Sequence, residues 1–364
     1  MYRLFTIVWF SLFGQCCDGQ QVRQLSKDAG LKQHYSGYFP VGVSVSPANL
    51  AGDEAGMIIK HFNSITAENA MKFGKLQPRE DSFYWKDADS IVAFAQRNGM
   101  KVRGHTLVWH QETPDWLFLD ADGDTVSKQV LLQRLEKHIK TVVGRYKGKV
   151  YAWDVVNEAV SNNKGEYLRN TPWLRICGEE YIARAFAWAH EADKNALLFY
   201  NDYNEIVPEK RSKIIRLVKD LQEKGVPIHG IALQAHWSIN APTKGQLETT
   251  IEELAALNLP LQVTELDVSV YPKIYSNKDK EDPDTSRVFT ARREKEQLEL
   301  YRNVFDVFRR NKHRITGVTF WNVSDRKSWL DNFPVKGRKD YPLLFDANLK
   351  PKKAFHAIVP KQDP

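Results

Sequence analysis

The sequence predicts an α/β protein folded as a single (β/α)₈ TIM barrel, and three observations support this prediction. Eight apolar runs rich in β-branched residues recur along the chain, with stretches of helical period between them. These runs are apolar enough to be covered on both faces, as the strands of a parallel sheet are. Eight such units fit the 364 residues as one closed barrel. An open, doubly wound sheet is the alternative, but no glycine-rich phosphate loop follows the first run.

The predicted elements alternate along the chain. Several helical stretches end near Gly or Asn, the residues that a helix C-terminus prefers. The predicted strands are 41–45, 64–68, 101–109, 150–158, 196–201, 228–236, 261–268 and 315–323, and the predicted helices include 87–98, 127–145, 179–192, 209–224 and 291–311.

Polar and aromatic residues fall at or near the C-terminal ends of the predicted strands. In a (β/α)₈ barrel these ends meet at one face, where active sites are built. We therefore expect a site at the face that carries Glu68, Trp109, Glu158, Asn201, His236, Glu265 and Trp321.

The first 19 residues have the layout of a secretory signal. A short charged start precedes an apolar run over 4–13, and the small residues at Cys17 and Gly19 suit cleavage after Gly19. The mature chain is then one barrel domain over 20–364, secreted to the extracellular space or the periplasm. Acylation of Cys16 or Cys17, as in a lipoprotein, is an alternative that the neighbouring residues fit poorly. The polar loop 277–287 is expected to be solvated.

Composition narrows the kinds of molecule that the protein could bind. The 52 basic and 45 acidic residues are interspersed, so a net charge of +7 gives no basic block suited to nucleic acid. The ten-residue apolar run is too short to span a membrane. Cleavage would leave only Cys177, so no internal disulfide is expected, and the absence of CxxC and HxxxH spacings predicts no metal. We also expect no cofactor, and a monomer.

Two glutamates are the strongest functional signal. Glu158 closes an apolar run and Glu265 interrupts another, and an unpaired charge is costly in a buried strand. Each could be a structural acid held by an Arg or by backbone amides. Their aromatic, amide and histidine neighbours favour chemistry instead. Glycosidic bond hydrolysis requires such a pair, one carboxyl protonated beside the leaving oxygen and one ionised at the anomeric carbon.

The surroundings suggest a role for each glutamate. His236 lies on the neighbouring predicted strand and Asp267 two residues along the same strand, so a hydrogen-bonded chain could hold Glu265 ionised as the nucleophile. The charge of Glu265 should favour the protonated form of Glu158, as a general acid that later acts as base. Aromatic rings can stack on the faces of sugar rings, and polar side chains can form hydrogen bonds with sugar hydroxyls. Candidates near the strand ends are Trp109, Tyr203, Trp321, Trp329, Glu68, Asn69, Lys72, His105 and Gln234.

Seven motifs together resemble glycoside hydrolase family 10, the endo-β-1,4-xylanases, over nearly the whole mature chain. They are Ile65-Thr-Ala-Glu-Asn-Ala-Met-Lys72, Gly104-His-Thr-Leu-Val-Trp-His110, Trp153-Asp-Val-Val-Asn-Glu158, Tyr200-Asn-Asp-Tyr-Asn204, Gln234-Ala-His236, Thr264-Glu-Leu-Asp267, and Trp321 followed by Ser328-Trp329. The resemblance implies retaining cleavage of xylan and xylo-oligosaccharides, with Glu158 as acid/base and Glu265 as nucleophile.

The resemblance also implies roles for the surrounding residues. Asn157 would bond the sugar 2-hydroxyl, and His236, backed by Asp267, would bond the nucleophile. Glycone-side contacts match Glu68, Asn69 and Lys72. The walls of the subsite before the scissile bond match His105, Trp109, Gln234, Trp321 and Trp329, and an aglycone-side platform matches Tyr203.

One position departs from the family pattern. The family usually places Gln three residues after the tryptophan of the third strand, whereas this chain has Glu112. A carboxylate accepts hydrogen bonds but cannot donate them, so contacts at the second glycone subsite would change.

Two alternatives stay open: a barrel enzyme acting on β-1,4-glucan or another β-glycan, and a non-catalytic sugar-binding barrel. The second would be expected to lack one carboxylate, and both are present.

Overall fold

A computed structural model describes residues 28–273 and 288–360 of the chain. Its strands are β1 (Val41–Val45), β2 (Ser64–Ala67), β3 (Lys101–Val108), β4 (Ala152–Asn157), β5 (Leu197–Asp202), β6 (Gly230–Leu233), β7 (His236–Ser238), β8 (Leu261–Ser269) and β9 (Ile315–Phe320). Its helices are α1 (Leu31–His34), α2 (Gly52–His61), α3 (Phe73–Leu76), α4 (Lys86–Arg97), α5 (Lys128–Arg145), α6 (Pro172–Cys177), α7 (Glu180–Ala192), α8 (Pro208–Glu223), α9 (Lys244–Ala255), α10 (Ala291–Arg310) and α11 (Lys353–Ile358).

The strands close into a parallel barrel of eight, which confirms the predicted fold class. Neighbours run in the order β1 to β6, then β8 and β9, and β9 pairs again with β1. The pairing of β6 with β8 completes the ring, while β7 continues the sixth strand alongside β8. The carboxyl ends of all eight strands therefore meet at one mouth.

The sixth strand differs from the prediction of one continuous run over 228–236. It breaks between β6 and β7 because Ala235 has a φ of 61°, a left-handed conformation that no strand can continue through. The backbone stays paired across the break, since the amide of Glu265 donates to the Gln234 carbonyl at 3.0 Å. The break places Gln234 and His236 at the mouth.

The predicted helices are present with ends shifted by about one residue, as fraying ends commonly are. Ser127 caps α5 by accepting from the amide of Val130, and Thr290 caps α10 through the amide of Arg293. Helices α2 and α9 lie outside the predicted helical stretches. In α9, a run of threonine, glutamate and glutamine weakens the apolar period.

The apolar core lies between the barrel and its helices, and includes Ile58, Ile91, Leu135, Phe186, Leu217 and Phe305. Two strand glycines make room for large rings: a Cβ at Gly104 would lie 2.1 Å from the Trp153 ring, and one at Gly230 would lie 2.1 Å from Phe199. No helix in the described ranges is long and apolar enough to cross a membrane. The residues of the expected signal, with Cys16 and Cys17, and the loop 277–287 lie outside the described residues.

Candidate active site

Glu158 follows β4 directly, in a backbone conformation that glutamate rarely adopts. Its φ is 58°, in the left-handed region, which costs a non-glycine residue about 1 to 3 kcal/mol. Two contacts hold this residue in place. Its amide donates to the carbonyl of Asn201 at 2.9 Å, and its carbonyl accepts from Nε of Arg169 at 3.0 Å. The turn directs the buried carboxylate into the mouth.

Glu265 lies in the middle of β8, because this strand continues past the predicted end to Ser269. Its Oε2 is 3.1 Å from Nε2 of His236, and Nδ1 of His236 is 2.9 Å from Oδ2 of Asp267. The Asp, His, Glu chain expected from the sequence is therefore present in the geometry. The indole Nε1 of Trp329 also donates to Oδ2 of Asp267, at 2.8 Å.

The electrostatics of the hydrogen-bonded Asp267, His236 and Glu265 side chains favour a charged pair of His236 and Glu265. Burial lowers the pKa of His236, but the charges and hydrogen bonds of Asp267 and Glu265 outweigh it and raise that pKa to about 10. Burial raises the pKa of Glu265, yet His105, His236 and Asn201 together bring it below the usual value. Near neutral pH the nucleophile candidate is thus a carboxylate beside an imidazolium.

A row of amide side chains joins the two glutamates. Asn201 Nδ2 donates to Oε1 of Glu265 at 2.7 Å and to Oδ1 of Asn157 at 2.9 Å. Nε2 of Gln234 donates to the same Asn157 oxygen and to Oε1 of Glu158, each at 3.0 Å. Thr264 fixes the orientation of the Asn201 amide by donating to its Oδ1 at 2.7 Å. Each amide is thereby locked, and the row engages Oε1 of both carboxylates.

A buried ion pair lies beneath the glutamates inside the barrel. Two guanidinium nitrogens of Arg103 bond the carboxylate of Asp154 at 2.8 and 3.1 Å, and Arg103 Nε donates to Gln262 at 2.7 Å. Asp154 also lies 3.0 Å from Nδ1 of His105, which is 3.9 Å from Oε1 of Glu265. Burial raises the pKa of Asp154, but Arg103 and His105 lower it overall. The pair holds His105 against the nucleophile candidate.

Lys72 forms one side of the mouth. Its ammonium donates to Oδ1 of Asn69 at 2.8 Å and lies 4.8 Å from the ring centre of Trp109. Burial lowers its pKa, while four carboxylates act in the opposite direction: Glu265, Glu112, Glu68 and Glu158. This side of the mouth therefore concentrates one cation among several acids.

Tyr203 forms the opposite side of the mouth, beyond Glu158. Its hydroxyl accepts from Nη2 of Arg169 at 3.1 Å, and the ammonium of Lys210 lies 5.1 Å from its ring centre. Lys210 is paired with buried Asp202 at 2.9 Å. Burial raises the pKa of Asp202 and lowers that of Lys210. These contacts fix the phenol ring beside Glu158, whose carbonyl the same Arg169 bonds.

Two tryptophans close the mouth near the histidines. The Trp321 ring meets His105 edge to face, with centroids 5.4 Å apart, and lies 6.3 Å from His236. The Trp329 ring lies 4.8 Å from His236 and stacks on Phe333 at 5.2 Å. Phe333 is one of the few large apolar side chains that are exposed.

The side chain of Glu112 is more exposed than those of Glu158 and Glu265. Its carboxylate pairs with Lys75 at 3.6 Å, and both side chains are largely in solvent. Its backbone has a φ of 51°, and its carbonyl accepts from the amide of Gly74 at 2.8 Å. A Cβ at Gly74 would lie 2.7 Å from that carbonyl, so the close approach requires glycine.

Sequence reasoning gave no role to several residues that the structure brings to the site. Asn201 was noted only as a strand-end residue, although it bonds Glu265 directly. Asp154 and Arg103 carried a signal that could have revealed them, because opposite charges in two adjacent buried strands call for a partner. The others are Arg169 and His110, whose Nδ1 lies 3.9 Å from Oε2 of Glu158.

No group of three or more His, Cys, Asp or Glu side chains in the described ranges has metal-binding geometry. Cys177 is buried, and burial raises the pKa of its thiol to about 11.

Within this site, the arrangement supplies one carboxylate held ionised and a second with a free oxygen. Such a pair suits a nucleophile and a proton donor.

Comparison with known proteins gives one consistent result. The model of glycosyl hydrolase family 10 matches residues 30–361. A β-1,4-xylanase of Dictyoglomus thermophilum is 50% identical over 329 residues, covering 90% of each chain. The crystal structure of xylanase XynB from Paenibacillus barcinonensis, complexed with a conduramine derivative, superposes with a TM-score of 0.87 at 47% identity, covering 92% of this chain and 99% of that one. A mutant structure in complex with xylotriose gives a TM-score of 0.86 at 43% identity, covering 91% and 99%.

Proposed function

Because this chain belongs to glycosyl hydrolase family 10, a retaining family, and is an endo-1,4-β-xylanase of that family, we propose that Glu265 is its nucleophile and Glu158 its acid/base. The observation that carries this assignment is the unequal environment of the two carboxylates. Glu265 is held ionised by His236, Asn201 and His105. Glu158 has amide donors on Oε1 alone.

The first step follows from these positions. A carboxylate oxygen of Glu265 attacks the anomeric carbon, the bond from that carbon to the glycosidic oxygen breaks, and Glu158 gives its proton to the leaving oxygen. In the second step water attacks the same carbon and Glu158 takes the proton of the water. The bond to Glu265 breaks as the water attacks, and the configuration at the anomeric carbon is retained.

The amide row explains why both carboxylates keep their orientation through the reaction. Asn157 accepts from Asn201 and Gln234 through its oxygen, so its Nδ2 points toward the mouth, where it also contacts Glu158 at 3.3 Å. From this position it would donate to the 2-hydroxyl of the sugar at the cleavage point. Hydrogen bonds to that hydroxyl strengthen in the transition state.

The substrate is xylan or a xylo-oligosaccharide lying across the mouth. Glu68, Asn69 and Lys72 would bind glycone hydroxyls, and Tyr203 would stack on an aglycone sugar. The walls of the subsite before the scissile bond would be His105, Trp109, Gln234, Trp321 and Trp329. The Trp329 ring beside His236 supports a preference for xylose, because a hydroxymethyl on C5 would need the space that the ring fills.

We also propose that residues 1–19 are a signal peptide removed near Gly19 and that the secreted barrel, 20–364, works as a monomer. Mass spectrometry of protein recovered from a culture medium would show whether the chain begins at Gln20. A mature chain that retains a lipid on Cys16 or Cys17 would replace this proposal. Size-exclusion chromatography with light scattering would test the monomer.

The central experiment compares wild type with Glu265→Ala. The mature wild type should release xylo-oligosaccharides from xylan faster than it cleaves a soluble β-1,4-glucan. Glu265→Ala should be inactive, and azide should restore part of its activity and give a glycosyl azide of inverted configuration. Glu265→Gln serves as the matched control, because it leaves no room for azide. Failure of folded wild type to cleave xylan would overturn the proposal.

A further inference from the structure

The two oxygens of Glu158 have different neighbours. Oε1 accepts from Gln234 at 3.0 Å and from Asn157 at 3.3 Å. Two N–H donors directed at Oε1 leave little room for a hydrogen on it, so the proton of the acid form belongs on Oε2. Oε2 faces Nδ1 of His110 at 3.9 Å, and both side chains are mostly buried.

The tautomer of His110 follows from its other nitrogen. Nε2 of Gln111, an amide donor, lies 3.5 Å from Nε2 of His110, so that ring nitrogen accepts. Burial, followed by the charge of Arg169, lowers the pKa of His110 to about 4, so the ring is neutral near neutral pH. A neutral ring that accepts on Nε2 carries its hydrogen on Nδ1, the nitrogen that faces Glu158.

Nδ1 of His110 is buried, and within the described ranges it has no hydrogen-bond partner. An unsatisfied buried donor costs about 1 to 3 kcal/mol, and catalytic hydrogen bonds are often long in a free enzyme and shorten during the reaction. The charged groups that act on His110 are Arg169, Asp202 and Lys210. All three are fixed by the contacts described above, which leaves the Glu158 carboxylate as the group that can close the gap.

We propose that His110 is a positioning residue for the second half of the reaction, donating from Nδ1 to Oε2 of Glu158 once that group is a carboxylate. This inference rests on the proposed function. In the first half of the reaction, the protonated Oε2 of Glu158 gives its proton to the leaving oxygen. After that transfer Oε2 is negative, the Nδ1–H bond forms, and the remaining lone pair of Oε2 faces the attacking water. The water proton then moves to Oε2 as the bond between Glu265 and the sugar breaks.

The test separates the two halves of the reaction with an aryl β-xylobioside whose leaving group needs no protonation. With that substrate, formation of the glycosyl-enzyme does not depend on Glu158, whereas its hydrolysis does. His110→Phe keeps a ring and removes the donor. We expect hydrolysis of the intermediate to slow by about 10- to 100-fold. Formation of the intermediate should change by no more than about threefold, so kcat and KM should fall together.

Two controls distinguish a positioning role from a structural one. His110→Asn places an amide donor near the position of Nδ1 and should keep hydrolysis within about threefold of wild type. Azide, which needs no base, should restore turnover in His110→Phe and give a glycosyl azide of retained configuration. An Asn variant as slow as the Phe variant, or equal slowing of both half-reactions, would contradict the proposal.

A measurement on the unmutated enzyme covers the case in which the Phe variant does not fold. Nitrogen-15 NMR of the histidines should show His110 neutral near pH 6, with its hydrogen on Nδ1. The opposite tautomer would overturn the proposal. A wild type that forms no glycosyl-enzyme on Glu265 would contradict the proposed function. The outcomes described for the His110 variants would contradict the role of His110 alone.

Discussion

Nε2 of His236 lies 3.1 Å from Oε2 of Glu265. His236 directly follows the break at Ala235 in the sixth strand. Ala235 turns the chain so that Gln234 reaches Glu158 while His236 reaches Glu265. One backbone break thus serves both carboxylates. The cost of the left-handed Ala235 is about 1 to 3 kcal/mol.

His236 should make the stability of the protein fall with rising pH. Its folded-state pKa of about 10 exceeds the unfolded value near 6.5, so the stabilisation is complete below about pH 6.5 and is lost as pH rises through 10. His236→Gln should be less stable than wild type at pH 6 and should show a shallower decline of Tm between pH 7 and 10. Parallel Tm curves for the two proteins would contradict the assigned charge.

The Gln234 amide should be needed for catalysis more than for folding. Gln234→Glu replaces a donor to Oε1 of Glu158 with an acceptor and places a second charge beside it. We expect kcat/KM for a xylo-oligosaccharide to fall by about 100-fold or more. Gln234→Met, which removes the donor without adding charge, is the control and should retain more activity. Equal losses in the two variants would show that the added charge contributes nothing beyond the lost donor, and wild-type activity in Gln234→Met would contradict a role for the amide.

Trp329 should support the nucleophile through its indole N–H. Trp329→Phe keeps a ring against Phe333 but removes the 2.8 Å bond to Asp267. Because a hydrogen bond to a charged group contributes about 1.5 to 3 kcal/mol, kcat/KM should fall by about 10- to 100-fold. Phe333→Leu leaves that bond intact and should cost much less. A larger loss in Phe333→Leu than in Trp329→Phe would contradict this expectation.

Glu112→Gln should change binding of short substrates more than chemistry. The carboxylate acts on Lys72 and pairs with Lys75 at the edge of the site, away from the Glu158 and Glu265 hydrogen bonds. KM should change for xylotriose and xylotetraose, while kcat stays within about twofold. Lys75→Met, which frees Glu112 from its partner, tests whether the pair itself matters. An unchanged profile on every chain length would refute the prediction.

Removing one partner of the buried pair of Arg103 and Asp154 should strongly destabilise the protein. Arg103→Met leaves Asp154 as an uncompensated buried charge and should cost about 3 to 5 kcal/mol of unfolding free energy. The double variant Arg103→Met, Asp154→Leu should recover part of that loss. Denaturant unfolding of wild type, Arg103→Met, Asp154→Leu and the double variant measures the coupling, and additive losses would show that the pair is not coupled.

The barrel and most of its elements could be predicted because their signals are local. Apolar β-branched runs and capped helices such as α5 read directly from neighbouring residues. The break in the sixth strand could not, because Ala235 is an ordinary strand residue by type. Its left-handed conformation lies between two stretches of pairing with β8, one that ends at Leu233 and one that begins at His236.

By itself, the sequence determined the fold class and singled out two glutamates as candidates, since buried-strand periodicity and a charge within it depend on residue type alone. The tertiary structure decided how those glutamates differ. The neighbours of the two glutamates are distant from them along the chain and meet them only when the barrel closes, as Asn201 meets Glu265 and His110 meets Glu158. Hydrogen-bond direction and burial depend on that closure, so the charge on Glu265 and the free oxygen of Glu158 are properties of the fold.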